Sequence, residues 1–424
     1  MSRRAIRFAA VAAIGALALT ACASNGGASP EAADGEVTGE VTMWMYPVIK
    51  DEAKSKQYWA DTEAAFEEAN PGVDLTIELQ VFEKRDAQIS AALAANSGPD
   101  LVLITPDQAA TYLTVGGLLP VDDALTESRD AFYPGTLEAA TFDDELYGVP
   151  LFQNVYTTAY NTKVFADAGL ELPRTWDEVL AAAPVLAEQG VAVMDYAGSP
   201  EQTLNLSFYP FLWQAGGTVF SEDGSDIAFD SKAGVQALQF LVDLKQAGGL
   251  PADAAAAGPA VEGAPIAAGK VAMRATTFLP EVAQMRAALG EENVVLGEPL
   301  EGRVQATYGN PGLLALTSIA KRENREAAYA VLDFLTSPEQ QASLNAAAGN
   351  FPTRTDVAAP GEGADYEALD AALAVANPGE PSPVARQVMA VLAPYIQAAL
   401  NGDLSAKDAL EQAAEEARGV LDRS

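Results

Sequence analysis

Histidine is absent from all 424 residues, cysteine occurs once, and lysine plus arginine number 25 against 59 acidic residues. Without imidazole there is no Ser-His-Asp or Cys-His triad, no histidine zinc site and no imidazole proton shuttle. A single cysteine excludes an intrachain disulfide and a cysteine-built zinc or iron–sulfur centre. The net charge of −34 repels phosphate backbones and anionic lipid, so nucleic acid is no partner for the bulk surface. What is present is ample apolar material, 49% hydrophobic and 8% aromatic, in a chain long enough for two or three domains. The acidity describes a soluble surface and does not mark a site.

The N-terminus carries an address. Arg3, Arg4 and Arg7 precede an apolar run of twelve residues, Phe8 to Leu19. A bilayer-spanning helix needs roughly 20, so the run reads as a signal-peptide core. Leu19-Thr20-Ala21-Cys22 resembles the bacterial lipoprotein signal, in which cleavage leaves the cysteine as the lipid-modified first residue. The alternative is a plain secretory signal with an incidental cysteine. Residues 1–21 are then the signal and Cys22 the lipid attachment. Residues 22–40, rich in Gly, Ala, Ser and acids, form a flexible tether. This places the body at the extracellular face of the cell membrane, or in a periplasm.

Along the body, Val41–Tyr46 and Leu75–Val81 read as strands, Tyr58–Ala69 and Asp86–Ala95 as helices, and Leu101–Ile104 as a buried strand. This alternation argues for an α/β layer with mainly parallel pairing. Further strands are expected at Val191–Met194, Val271–Ala275, Val294–Leu296 and Leu313–Ile319. Helices are expected near 163–169, 175–188, 203–215, 231–247, 280–289, 325–335, 338–348, 384–400 and 405–421. Thr175-Trp176-Asp177-Glu178 is a capping box, with Trp176 a packing residue, and Ser337-Pro338 an N-cap followed by proline. After residue 350 the chain reads as almost wholly helical.

Several motifs fail. Ser318-Ile319-Ala320-Lys321 has a Ser-x-x-Lys spacing but no companion elements. Gly263 to Lys270 has the wrong number of residues between its glycines for a phosphate loop, and Val271 replaces the metal-binding hydroxyl. Ser221 to Asp226 lacks the ligand alternation of a calcium loop and reads as a polar turn. Asp122-Asp123 and Asp143-Asp144-Glu145 are adjacent acids of the kind an acid-rich chain produces anyway. No catalytic, metal or cofactor constellation survives.

A set of local signatures is nevertheless shared with a known family. Gly98-Pro99-Asp100-Leu101, Gly117-Leu118-Leu119-Pro120-Val121-Asp122, Leu146-Tyr147-Gly148-Val149-Pro150 and Tyr160-Asn161-Thr162-Lys163 come first. Leu172 to Glu178, Phe211-Leu212-Trp213-Gln214-Ala215-Gly216-Gly217, Gly269-Lys270-Val271-Ala272-Met273 and Ala328 to Gln340 follow. In this order they resemble the extracellular solute-binding proteins of ABC importers, closest to the maltose-binding-protein group. The resemblance implies a two-lobed, type II-like periplasmic-binding-protein fold with a hinge and a central ligand cleft. Residues 37–152 plus 312–352 would form one lobe and 155–308 plus 356–424 the other. It implies capture of a mono- or oligosaccharide by a monomer, delivery to a membrane permease, and no enzymatic activity.

A sugar site needs flat apolar faces for ring C–H surfaces and planar polar groups for hydroxyls. Trp44 and Tyr46 end the first strand, where α/β clefts open. Asp107 resembles an acidic hydroxyl acceptor of relatives, and Asn154 stands where relatives often have Asp or Glu. Tyr209 and Trp213 occupy a helix that faces the cleft in relatives, and Phe278 matches a stacking tryptophan. Tyr308 and Asn310 lie at the return crossing, and Arg386 is the one cation of the 384–400 helix. Each has a plainer reading: one face of the Trp44 strand must be core, Tyr209 or Trp213 can be packing, and Arg386 can be a surface ion pair. Three rival functions remain open: a polyamine-type binding protein, a secreted carbohydrate-active enzyme, and a surface adhesion protein.

Overall fold

The computed structural model describes residues 37–49, 51–81, 84–126, 128–199 and 203–423. The signal segment, Cys22 and the tether up to Glu36 lie outside the described residues. The last two tether positions are strand instead: β1 (Gly39–Met45) begins there, with Gly39 paired to Val73 and Glu40 to Asp74. Pairing of this kind uses backbone groups alone, so a Gly/Glu composition hides it.

β1 buries Val41, Met43 and Met45 and leaves Thr42 and Trp44 half-buried, the period of two that a strand imposes. α1 (Glu52–Ala69) starts at Asp51, whose carboxylate accepts the Lys54 N–H, and buries Trp59, Thr62 and Phe66 on one stripe. β2 (Val73–Leu79) and β3 (Leu101–Ile104), joined through α2 (Arg85–Ala95), both pair in parallel with β1. α3 (Pro106–Leu113) follows β3 at once, with the Gln108 side chain accepting the Thr105 N–H at 3.0 Å. Its Thr-Pro start conceals a helix with a proline at its first position.

Short elements follow: β4 (Leu118–Leu119), α4 (Pro134–Glu138) and the hairpin β5 (Thr141–Phe142) with β6 (Glu145–Leu146). β7 (Val149–Val155) is then separated from β8 (Thr157–Asn161) by Tyr156 alone. Beyond this crossing come α5 (Thr162–Asp167), α6 (Trp176–Ala187) and β9 (Ala192–Asp195). α7 (Tyr209–Gln214), α8 (Lys232–Gln246), β10 (Val271–Thr277), α9 (Leu279–Leu289) and β11 (Val294–Gly297) complete that half. The chain returns through β12 (Thr307–Thr317), an eleven-residue strand buried throughout, to α10 (Arg325–Leu335) and α11 (Pro338–Ala348). It closes with α12 (Ala364–Leu373), β13 (Ala376–Asn377), α13 (Ala385–Asn401) and α14 (Ala406–Leu421).

The strands form two main sheets. The larger has the order β13-β12-β3-β1-β2, with β4 and β7 also on β12, and the smaller the order β11-β8-β10-β9. Parallel and antiparallel pairs mix, because β12 runs antiparallel to both β3 and β7. Each sheet has its own core, one around Met43, Leu101, Leu314 and Val331, the other around Met273, Phe229, Leu241 and Leu392. The protein is a two-lobed α/β molecule. Near the crossings, membership is shared: Tyr308 belongs to a strand of the larger sheet yet packs in the second core, and β13 pairs with Thr307 and Tyr308.

Two sequence expectations change. The helix expected over 203–215 is a 3-10 turn at Leu204–Leu206 followed by α7, since Pro210 has no N–H and restricts the residue before it. The segment after residue 350 is not wholly helical: Phe351 bridges Gln153, and β13 interrupts the helices. Trp176 stacks on Phe240 at 4.5 Å, a packing contact, and Ser221 donates its N–H to the Asp226 carbonyl in a polar turn. Among the described residues no helix is long and apolar enough to cross a membrane.

Close packing at the start of α8 yields a test. A Cβ at Gly234 would lie 1.8 Å from the Phe229 carbonyl oxygen, whereas a Cβ at Gly135 meets nothing within 4 Å. Gly234→Ala is expected to cost roughly 1–3 kcal/mol or more in urea unfolding, and Gly135→Ala to stay within about 1 kcal/mol of wild type.

Candidate functional site

A cleft of about 730 Å³ opens where the strand ends of the two lobes face each other. Its walls come from both lobes: the β1 end, the first turns of α2 and α3, and the α11 end on one side, the 203–206 turn, the start of α9 and the first half of α13 on the other. Two crossing segments form its floor. Tyr156 donates its N–H to the Tyr308 carbonyl at 3.0 Å, and the Thr307 hydroxyl donates to the Tyr156 carbonyl at 2.8 Å.

Seven of the ten expected ligand residues line this cleft: Tyr46, Asp107, Asn154, Phe278, Tyr308, Asn310 and Arg386. Three do not. Trp44 lies half-buried on the sheet, its indole N–H donating to its cross-strand neighbour Glu78 at 2.8 Å. β1 ends at Met45, so Tyr46 leaves the strand's alternation and enters the cleft without Trp44. Tyr209 is wholly buried in the second core, and Trp213 is buried behind Tyr308, ring centroids 6.4 Å apart. The short α7 turns both aromatics inward, so they support the cleft wall from behind.

The aromatic surface is continuous. Phe278 lies 5.3 Å from Tyr156, and Tyr156 5.6 Å from Tyr308, centroid to centroid. Burial pushes the Tyr156 and Tyr308 phenols above their ordinary range and the Tyr46 phenol up to about 12, so all three stay protonated donors. The Arg85 guanidinium sits 5.6 Å from the centre of the Tyr46 ring, and burial lowers its pKa.

One ion cluster spans the cleft. Arg386, in the first turn of α13, donates through Nη1 to Asp86 Oδ2 at 2.5 Å and through Nε to Asp107 Oδ2 at 2.7 Å. Both carboxylates belong to first turns, of α2 and α3, where free backbone N–H groups favour negative charge. Gln108 also bonds Asp86, and Thr105 donates to Asp107 at 2.5 Å. Burial works against the Arg386 charge, but pairing with Asp107 and Asp86 outweighs it and leaves the pKa raised. Arg85 and Arg386 balance Asp86 and Asp107, so the charges lining the cleft cancel.

Amides supply the neutral polar contacts. Asn154 and Asn310 are register partners on β7 and β12, and Asn350 donates to Asn154 Oδ1 at 2.5 Å. Three buried oxygens of lining residues have no hydrogen-bond partner among the described residues: Tyr46 Oη, Asn205 Oδ1 and Asn350 Oδ1. Asp86, Tyr156, Asn205 and Asn350 also line the cleft and were not among the expected site residues. Tyr156 stands only two positions after Asn154; the others gain their place only through folding.

A family model for bacterial extracellular solute-binding proteins matches residues 46–342. The chain belongs to that family. Among the relatives of this solute-binding protein, a binding protein of Brucella abortus is 25% identical over 325 residues, 76% of this chain and 77% of that one. An arabinooligosaccharide-binding protein of Halalkalibacterium halodurans is 27% identical over 176 residues, 41% of this chain and 39% of that one. Among solved structures, the GacH receptor of Streptomyces glaucescens, studied unliganded and with acarbose, superposes with a TM-score of 0.75. It is 22% identical, covering 91% of this chain and 99% of that one, a likeness of fold.

The Arg386 cluster joins the solute-binding protein's two lobes by charge across the cleft. Arg386→Ala is expected to shift the ligand-free protein toward wider lobe separations, read as a larger radius of gyration in X-ray scattering. Salt at about 1 M, where the screening length falls to about 3 Å, should produce a smaller shift in the same direction in wild type, because the pairs are partly buried.

Proposed function

We propose that this protein captures a neutral mono- or oligosaccharide in its interlobe cleft and delivers it to the permease of an ABC importer. The carrying observation is the make-up of the cleft: an aromatic surface through Phe278, Tyr156 and Tyr308, beside the amide residues Asn154, Asn205, Asn310 and Asn350, in a setting of balanced charge. Sugar rings need that combination, apolar faces for C–H surfaces and planar polar groups for hydroxyls. Relatives whose names or structures carry arabinooligosaccharide and acarbose support the same reading. Phe278, Tyr156 and Tyr308 stack against rings, Asn154, Asn205, Asn310 and Asn350 bond hydroxyls, and Tyr46 donates its phenol.

Binding is coupled to lobe closure. A ligand that touches both walls favours the closed arrangement by its extra contacts there, with the segments around Tyr156 and Tyr308 as hinge. Arg386 already links Asp86 and Asp107, and ligand hydroxyls compete for the same three groups. The protein carries out no catalysis. A glycosidase needs one carboxylic acid ready to donate a proton and a second carboxylate across the bond. Asp86 and Asp107 are instead both engaged by one guanidinium. A polyamine would demand surplus carboxylates, which the balanced cleft does not offer. Cleavage before Cys22 and lipid attachment there would tether a monomer at the outer membrane surface, close to its permease.

The test is a thermal-shift screen of the mature chain with pentose and hexose oligosaccharides, polyamines and amino acids. A ligand at 100 times its dissociation constant stabilises by about 2.7 kcal/mol, a readily visible shift. A response to polyamines alone overturns the carbohydrate reading, and consumption of a bound glycoside makes the protein an enzyme. Phe278→Ala should weaken sugar affinity about ten-fold, the equivalent of about 1.4 kcal/mol of lost stacking, with unchanged unfolding temperature of the free protein.

A further inference from the structure

A second cavity, of about 350 Å³, lies in the smaller-sheet lobe beside the cleft. The two meet at Tyr156, Leu206 and Phe278, which line both. Phe278 thus presents ring surface to two spaces. A space of about 300 Å³ is already on the scale of small-ligand sites. The chamber's walls are not those of an apolar packing defect. Tyr196 and Phe211 contribute aromatic surface, while Arg274, Asp195 and Glu281 contribute charge.

Those charged groups are held in fixed positions. Arg274 stands opposite Asp195 in the β9–β10 register and binds it through Nε at 3.0 Å and Nη2 at 2.5 Å. Its Nη1 donates to the Pro259 carbonyl at 3.0 Å and lies 3.5 Å from Glu281 Oε1. Thr277 donates to the other oxygen of Glu281 at 2.9 Å. Burying such a cluster costs free energy that a purely apolar filling of the same space would avoid. The arrangement repeats the chemistry of the cleft, aromatic faces beside planar polar groups.

We propose that this chamber is a second subsite, taking one further neutral sugar ring of a solute whose first rings occupy the cleft, so that the chain of rings bends around Phe278. The inference rests on the carbohydrate reading and narrows it to oligosaccharides. It also sets a charge rule. One guanidinium faces two carboxylates here, so a uronate or phosphorylated ring meets net negative charge and is rejected.

Calorimetric titration with maltooligosaccharides and arabinooligosaccharides of two to five residues tests this. In wild type, affinity for at least one series should rise about ten-fold or more when the chamber-filling ring is added, the scale of one good stacking contact. Ala197→Phe and Thr276→Phe each place a ring in the chamber from a residue outside the cleft. Both should abolish that rise and leave the affinity for the shorter sugar unchanged. Two variants guard against one failing to fold. A rise that persists in the folded variants, or short sugars that bind with no gain on lengthening, overturns the chamber alone. If no member of either series binds wild type, the carbohydrate reading falls and takes the chamber with it.

Discussion

The architecture depends on how the chain passes between its lobes. Only Tyr156 separates β7 from β8, and β12 brings Tyr308 back beside it, the two joined by the Tyr156 N–H, the Thr307 hydroxyl and their facing rings. These are two of the three crossings; the third runs on from Phe351, which bridges Gln153. The first two place Tyr156 and Tyr308 on the cleft floor, so the hinge proposed above is also part of the cleft lining.

Everything else in the cleft is arranged around that floor. Phe278 extends the aromatic surface from the smaller sheet, and Trp213, buried behind Tyr308, stiffens it from within the core. Opposite, the first turns of α2 and α3 present Asp86 and Asp107, and α13 presents Arg386 to both. The resulting balance of charge lets a strongly acidic protein offer a neutral binding surface. Its acidity resides elsewhere, in solvated residues that keep the molecule soluble.

Much of this was legible before folding. Capping signals and apolar periodicity located nearly every long helix: the box at Thr175 and Glu178 and the Ser337 cap appear where their spacing places them. Residues at strand ends or just after them, such as Asp107, Asn154 and Phe278, could be nominated because position and type pointed the same way. Trp44, nominated at a strand end, and Tyr209 and Trp213, nominated on a helix that faces the cleft in relatives, do not line the cleft. An aromatic on a strand or helix faces whichever side its element turns inward, and the end of β1 at Met45 and the shortness of α7 decide that.

The sequence by itself determined the alternating α/β pattern, and it carried the ordered local signatures whose family resemblance implied two lobes. Local rules suffice for the pattern, since propensity, capping and periodicity act within a few residues. Only the tertiary structure decided which groups meet. Arg386 lies 279 residues from Asp107 and 300 from Asp86, and Asn350 lies 196 from Asn154. No spacing in the chain encodes such contacts. They exist because two separate cores, formed from interleaved segments, bring the strand ends of both sheets to one cleft.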